Sequence, residues 1–206
     1  MLLLATFVLA MLALQETNPL ASDPNAADWA DGIGPDGRPT LISGQDPTEE
    51  GNRTCPGMGG GHNWQATAYS PQTGLYYFTT SDRCMLFYKT DQTFIEGQWY
   101  QASTVGRDEP ESGRVLGVDP KNGNAVWQFE KVSTPTAGLL ATAGGLVFTG
   151  DAEGYLIPFD TRSGRVLWRF QTGGTVIAPP ISYSLNGRQY IAVAAGQSMI
   201  TFALPK

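Results

Sequence analysis

The sequence Val-Asp-Pro-Lys-Asn-Gly-Asn-Ala-Val-Trp at residues 118–127 returns as Phe-Asp-Thr-Arg-Ser-Gly-Arg-Val-Leu-Trp at residues 159–168. Its aspartates, glycines and tryptophans lie 41 residues from their counterparts, in the pairs Asp119 and Asp160, Gly123 and Gly164, and Trp127 and Trp168. A period of about 40 residues built from short strands and turns is typical of a β-propeller blade. The repeat therefore predicts an all-β fold made of four-stranded propeller blades.

Each shared position of this repeated phrase has a physical role. The aspartate side chain binds nearby backbone N–H groups and the glycine adopts positive φ, so the phrase predicts a tight turn between two strands. The tryptophan is expected to pack between neighbouring blades, where it buries about 200 Å². A cofactor-stacking role is disfavoured, because repetition at fixed spacing indicates architecture. A weaker copy around Gly74 and a structured insertion at 81–111 are also expected.

The composition agrees with this fold class and excludes several classes of function. Of 206 residues 41% are hydrophobic, and the 25 glycines and 14 prolines fit a turn-dense all-β protein. The net charge of −6 argues against a nucleic-acid surface, which needs clustered Lys and Arg. The sequence contains no phosphate loop, zinc-spaced Cys/His set or nucleophile elbow.

The repeat also limits the number of blades that the chain can form. It is absent before residue 50, so the chain accommodates about three to four blades, whereas closed propellers have about four to eight. The chain is therefore expected to form an unusually small ring or part of a larger one. The expected organisation is an apolar segment at 1–14, an extended linker at 15–50 and propeller blades at 51–206. The apolar segment is interpreted either as a signal-peptide core or as a strand of a preceding blade.

The only two cysteines, Cys55 and Cys84, are separated by 29 residues. A pair in a chain with a secretion-like start favours one disulfide and an oxidising compartment. The alternative is two unrelated buried thiols.

Four stretches add more specific information: residues 54–65 (Thr-Cys-Pro-Gly-Met-Gly-Gly-Gly-His-Asn-Trp-Gln), 68–75, 139–148 and 189–196. In this order they resemble the quinoprotein alcohol dehydrogenases, periplasmic enzymes of the methanol and ethanol dehydrogenase type that depend on pyrroloquinoline quinone (PQQ). The repeated phrase is similar to the tryptophan-docking motif of that family. The family ring has about eight blades, so the resemblance, which runs from about Trp29 to the end, implies its C-terminal portion.

The resemblance implies roles for individual residues. Asn63 falls on an asparagine whose carboxamide binds the quinone, and its alternative role is that of a turn residue. Cys55 and Cys84 match a structural disulfide of the family. Thr136 lies nearest the place where methanol enzymes carry a tryptophan beside the cofactor, so this cofactor wall is expected to differ. Trp64 is expected to pack within the blade. His62 is expected to be a solvated loop residue instead of a base.

The function implied is oxidation of a small-molecule alcohol to an aldehyde with PQQ and calcium, in the periplasm or after secretion, with electrons passed to cytochrome c or a membrane quinone. The family's calcium ligands, aspartate base and cofactor-stacking disulfide come from earlier blades, so no catalytic residue is assigned in this chain. Missing blades or another subunit are therefore expected partners. Two alternatives are a non-catalytic scaffold with the same repeats, similar to outer-membrane assembly proteins, and an inactive truncated fragment.

Overall fold

The computed structural model describes residues 27–108, 112–131 and 137–204, and all regular elements in these ranges are β-strands. In chain order the strands are β1 (Ala30–Ile33), β2 (Pro39–Leu41), β3 (Asn52–Thr54), β4 (Ala68–Ser70), β5 (Leu75–Ser81), β6 (Met85–Lys89), β7 (Ser103–Arg107), β8 (Gly113–Val118), β9 (Ala125–Lys131), β10 (Leu140–Ala141), β11 (Leu146–Gly150), β12 (Tyr155–Asp160), β13 (Phe170–Gln171), β14 (Ile181–Leu185), β15 (Arg188–Ala195) and β16 (Ser198–Ala203). The all-β prediction is confirmed. The expected segment at residues 1–14 lies outside the described residues, in which we find no helix long and apolar enough to cross a membrane.

Three antiparallel sheets follow the strand order of propeller blades. Two have four strands, in the orders β4-β5-β8-β9 and β10-β11-β12-β13, and the third has three, in the order β14-β15-β16. In each sheet the strands neighbour one another in the order in which the chain forms them, apart from one insertion. We name these sheets the first, second and third blade.

The predicted insertion is present between the second and third strands of the first blade. Strands β6 and β7 pair with each other, and β6 also pairs with β3, which makes a separate three-stranded sheet. The described part of the expected 15–50 linker contains a β1–β2 hairpin. Its turn includes Asp36 and Gly37, which has φ of +77°; Asp-Gly is a recognised hairpin signal.

The repeated phrase forms the turn between the third and fourth strands of the first and second blades. Gly123 N–H donates to the Asp119 carbonyl at 2.8 Å, and Gly164 N–H donates to the Asp160 carbonyl at 3.0 Å. The Asp160 carboxylate also accepts hydrogen bonds from the Ser163 hydroxyl and N–H. These bonds lower the pKa of Asp160, with the Ser163 hydroxyl as the largest cause. The turn prediction is correct in both blades.

The expected third copy of the phrase is wrong. Gly74 N–H donates to the Ser70 carbonyl at 2.8 Å in the turn that joins β4 to β5, the first and second strands of the first blade. A Thr-Gly turn with glycine at positive φ serves either position, because both are tight connections between antiparallel strands. The local sequence therefore resembles the repeat without occupying its place in the blade.

The core lies between the blades. One cluster joins the first blade to the second and is centred on Tyr77, Trp127 and Phe159. Another joins the second blade to the third through Phe148, Leu156 and Val193. Alternate residues on each strand enter these clusters, as expected for sheets packed face to face.

Candidate functional site

The candidate site is a cleft of about 230 Å³ at one end of the first blade. A glycine-rich loop, residues 57–65, forms one wall. The end of β5 and the segment that follows it form the other wall, through Thr79, Thr80, Ser81, Arg83 and Met85. The loop carries Asn63, the candidate cofactor residue.

The disulfide and close packing hold this loop against the sheet. Cys55 and Cys84 are bonded, with their Cα atoms 4.4 Å apart, so the predicted pairing is confirmed. Gly57 N–H donates to the Arg83 carbonyl at 2.8 Å, and a Cβ at Gly57 would lie 2.5 Å from Met85 Cγ. Glycine is therefore required where the loop crosses the chain next to the disulfide.

Asn63 lies at the exposed rim of the cleft. Its carboxamide nitrogen donates to the Gly59 carbonyl at 3.1 Å, and its backbone N–H donates to the Gln65 side-chain oxygen at 3.3 Å. These bonds orient the amide within the loop. The structure gives its carboxamide oxygen no donor among the described residues, so this oxygen can accept from a ligand.

His62 anchors the loop to the blade. Its Nδ1 lies 2.8 Å from the Thr79 carbonyl, which accepts only, so Nδ1 carries the proton. The ring also packs edge-on against Phe78, with centroids 5.9 Å apart. The expectation of a solvated loop histidine is wrong, because the ring is half-buried and tied to the backbone. This contact explains how Asn63, the next residue, is held at the cleft.

Trp64 differs from its expected role. It was predicted to pack within the blade, but its side chain is 59% exposed and lines the cleft. The loop turns its residues outward at this point, because the blade strand β4 begins only at Ala68. An exposed indole beside a cleft offers a stacking surface for a planar ligand.

Thr136, the other candidate cofactor residue, lies outside the described residues. The structure resumes with Ala137 and Gly138, which lie beside the loop of the first blade. Leu139 N–H donates to the Ala66 carbonyl at 2.7 Å, and a Cβ at Gly138 would lie 2.6 Å from the Ala66 nitrogen. The segments that enter the first and second blades are therefore in direct contact.

Two functional candidates in the cleft are absent from the sequence predictions. The Thr80 side chain is 8% exposed, and its hydroxyl oxygen has no hydrogen-bond partner in the described structure. Arg83 is the only formally charged residue among those that line the cleft, and none of them is Asp or Glu. Arg83 directly precedes the predicted disulfide cysteine, which is the one sequence signal for its position. For Thr80 no sequence signal exists.

The described residues contain no cluster of His, Cys, Asp or Glu suited to hold a metal ion. The repeated aspartates are used in turns, as shown above for Asp119 and Asp160. Trp127 and Trp168 lie at the blade boundaries and not at the cleft, in agreement with an architectural role.

The family model described as "Outer membrane protein assembly factor BamB" matches residues 111–204. The quinoprotein ethanol dehydrogenase of Pseudomonas aeruginosa is 36% identical over 171 residues, which cover 78% of this chain and 27% of that protein.

Two solved structures share the fold. The quinohemoprotein alcohol dehydrogenase from Comamonas testosteroni has a TM-score of 0.74 at 30% identity, over 84% of this chain and 28% of that one. A europium-containing methanol dehydrogenase has a TM-score of 0.70 at 32% identity, over 81% of this chain and 31% of that one. The chain thus spans less than a third of the length of each of these relatives.

Proposed function

We propose that this chain, which belongs to the quinoprotein alcohol dehydrogenase family, forms one wall of the PQQ chamber of such an enzyme. Membership of the family, expected from the four matching stretches, is confirmed by relatives at 32–36% identity. The chain corresponds to only a portion of those proteins. The complete activity therefore requires segments that the described residues do not supply.

The observation that carries the proposal is the position of Asn63. It lies at the rim of the cleft, in a loop held by the disulfide, by Gly57 and by His62, with a carboxamide oxygen available to a ligand. An amide can bind a polar cofactor without the cost of burying a charge. The exposed Trp64 ring beside it suits a planar aromatic ligand.

The residues that line the cleft suit the quinone, whereas the described residues do not offer a binding site for the metal ion. PQQ is a tricarboxylate, and the cleft offers one arginine, no acidic lining residue and several polar donors. When bound in such enzymes, the quinone accepts the two electrons removed from the alcohol. A calcium or lanthanide ion needs several oxygen ligands, and no suitable group occurs in the described ranges. We assign the metal ligands and the catalytic base to segments outside these ranges.

The proposed reaction is oxidation of a small alcohol to an aldehyde, with electrons passed to a cytochrome or a quinone. Relatives include a 1-butanol dehydrogenase that uses cytochrome c and one that uses quinone, so both kinds of acceptor occur among similar proteins. The proposed location is the periplasm or the exterior of the cell. The disulfide supports this, because such bonds persist in oxidising compartments.

The test measures PQQ binding and turnover with the isolated chain. Ligand-observed NMR at millimolar PQQ should detect weak binding, which Asn63→Ala weakens about fivefold, as expected for one neutral hydrogen bond. Asn124→Ala, at an exposed turn of the first blade, is the matched control and should bind as the parent does. Dye-linked ethanol or methanol oxidation with calcium should be absent. Equal binding by the Asn63→Ala variant would refute the cofactor role, and turnover by the chain alone would refute the incomplete-site assignment.

A second candidate function is a protein-binding scaffold. The match of residues 111–204 to the assembly-factor model favours it for the second and third blades. The matched residues do not include the loop at 54–65, and a scaffold has no need of that loop. Capture of outer-membrane precursor proteins together with the absence of any PQQ binding would favour the scaffold.

A further inference from the structure

The sequence contains two Asn-Gly pairs, Asn122-Gly123 and Asn186-Gly187, and both lie in turns. Asparagine is thermolabile, because its side-chain amide carbon can be attacked by the backbone nitrogen of the next residue. Glycine in the next position hinders this attack least, since it has no side chain. The two pairs therefore share the same local chemistry, and the surrounding structure decides which of them reacts.

The first pair is protected by hydrogen bonds. Gly123 is buried, and its N–H donates to the Asp119 carbonyl at 2.8 Å. The Asn122 side chain donates to the Asp119 carboxylate at 3.3 Å and accepts from the Asn124 N–H at 2.9 Å. Attack on the Asn122 amide requires these bonds to break first.

The second pair lies open to solvent at the tip of the hairpin that joins β14 to β15. Asn186 and Gly187 are both exposed and have positive φ, +52° and +74°. Two such residues between the paired Leu185 and Arg188 fit a type I′ turn. Among the described residues, neither the Asn186 side chain nor the Gly187 N–H has a hydrogen-bond partner. The attacking nitrogen and the amide carbon therefore approach each other without breaking such bonds.

We propose that Asn186 is a site of spontaneous deamidation, and that its isoaspartate product releases β14 from the third blade. The Gly187 nitrogen gives up its proton and bonds to the Asn186 Cγ. The Cγ–Nδ2 bond breaks, and the amide nitrogen leaves as ammonia with that proton. Water then opens the resulting succinimide at either carbonyl, which gives aspartate or isoaspartate at this position.

The two products differ in their effect on the turn. Aspartate keeps it, since Asp-Gly also favours a type I′ turn. In isoaspartate the backbone runs through the former side-chain carbon, and the extra backbone atom does not fit a two-residue turn. β14 depends on this turn, because all five of its residues are exposed and its partner in the described sheet is β15. β15 also pairs with β16 and enters the core beside the second blade, so it stays in place.

The experiment incubates the full folded chain in mildly alkaline buffer, which promotes loss of the Gly187 proton, and follows both sites by mass spectrometry of tryptic peptides. The peptide 170–188 reports on Asn186, and the peptide 122–131 reports on Asn122. Asn186 should convert at least about tenfold faster than Asn122, because several hydrogen bonds hold the first pair. In urea that unfolds the chain, the two sites should convert at similar rates.

Asn186→Gly is the matched variant, because Gly-Gly also suits the turn and has no amide to lose. Hydrogen exchange of residues 181–185 should rise with the isoaspartate content of the aged parent and should stay at its initial value in the aged variant. Equal conversion of the two asparagines in the folded chain, faster conversion of Asn122, or no conversion of Asn186 would overturn the assignment of the site. Isoaspartate that forms without any change of exchange in β14 would overturn the release of that strand.

Discussion

Trp127 and Trp168 occupy the same place in the repeated phrase but have different surroundings. Trp127 is 7% exposed, and its ring stacks on Phe159 of the second blade at 6.1 Å between centroids. Its Nε1 donates to the Thr161 carbonyl at 3.0 Å, in the turn of that blade. Trp168 is 41% exposed and meets Phe202 of the third blade at 6.0 Å, in a tilted arrangement.

The difference comes from the blade that each ring faces. Trp127 faces a complete four-stranded blade, whose Gly164 turn lies against the indole. Trp168 faces the third blade, which has three strands in the described residues, and meets it through a tilted contact with Phe202. A sequence repeat therefore predicts where a tryptophan lies in a blade, but the neighbouring blade decides how far it is buried.

The largest expected effect separates the two tryptophans directly. Trp127→Ala should lower the free energy of unfolding by about 3–5 kcal/mol, because it removes a buried ring from the boundary between two blades. Trp168→Ala should cost about 1–2 kcal/mol, since much of its ring already contacts solvent. Urea unfolding of both variants measures the two values. Equal losses of unfolding free energy in the two variants would contradict the difference in burial between the two tryptophans.

The next prediction tests the glycine under the Trp127 ring. A Cβ at Gly164 would clash with Trp127 Cε3, and the φ of Gly164 is +67°. Gly164→Ala should therefore cost about 2–4 kcal/mol, from backbone strain together with overpacking. Gly187 has φ of +74° and no atom near an added Cβ, so Gly187→Ala should cost only the strain, about 1–2 kcal/mol. Thermal or urea unfolding of the pair isolates the tryptophan contact, and identical losses would show that the contact contributes nothing.

The smallest expected effect tests the hydrogen bonds at the boundary where Trp127 meets the second blade. Tyr77 stacks on Trp127, and its hydroxyl donates to the same Thr161 carbonyl at 2.9 Å. Tyr77→Phe should cost about 1 kcal/mol near neutral pH, because Trp127 still donates to that carbonyl. Tyr155→Phe, at a partly buried tyrosine of the second blade, is a control for general loss of a hydroxyl.

Burial raises the pKa of Tyr77 above its ordinary value of 10.0. In the unfolded chain this tyrosine ionises near its ordinary pKa while the folded chain keeps its proton, so the native state loses stability as the pH rises above about 10. The parent should therefore lose more stability than Tyr77→Phe between about pH 10 and 11. Parallel unfolding curves of the two proteins over this range would contradict the burial of the hydroxyl.

The same contrast between local and long-range information applies to the cleft. The disulfide pairing and the position of Asn63 in a glycine-rich loop were predicted from residues 54–65 and from the cysteine pair. Arg83 and Thr80 were not, because they join the loop only when the end of β5 packs against it. The exposure of Trp64 and the anchoring of His62 also depend on that packing, and both were predicted incorrectly.

The sequence by itself determined the all-β class, the Asp-to-Gly turns and the family, since turn chemistry acts over a few residues and the repeat period covers one blade. Only the tertiary structure decided which turn is part of the repeat, as the Gly74 connection shows. It also decided how deeply each tryptophan is buried and which side chains share the cleft. These properties depend on neighbouring sheets and on chain segments far apart in sequence, whose contacts no local pattern encodes.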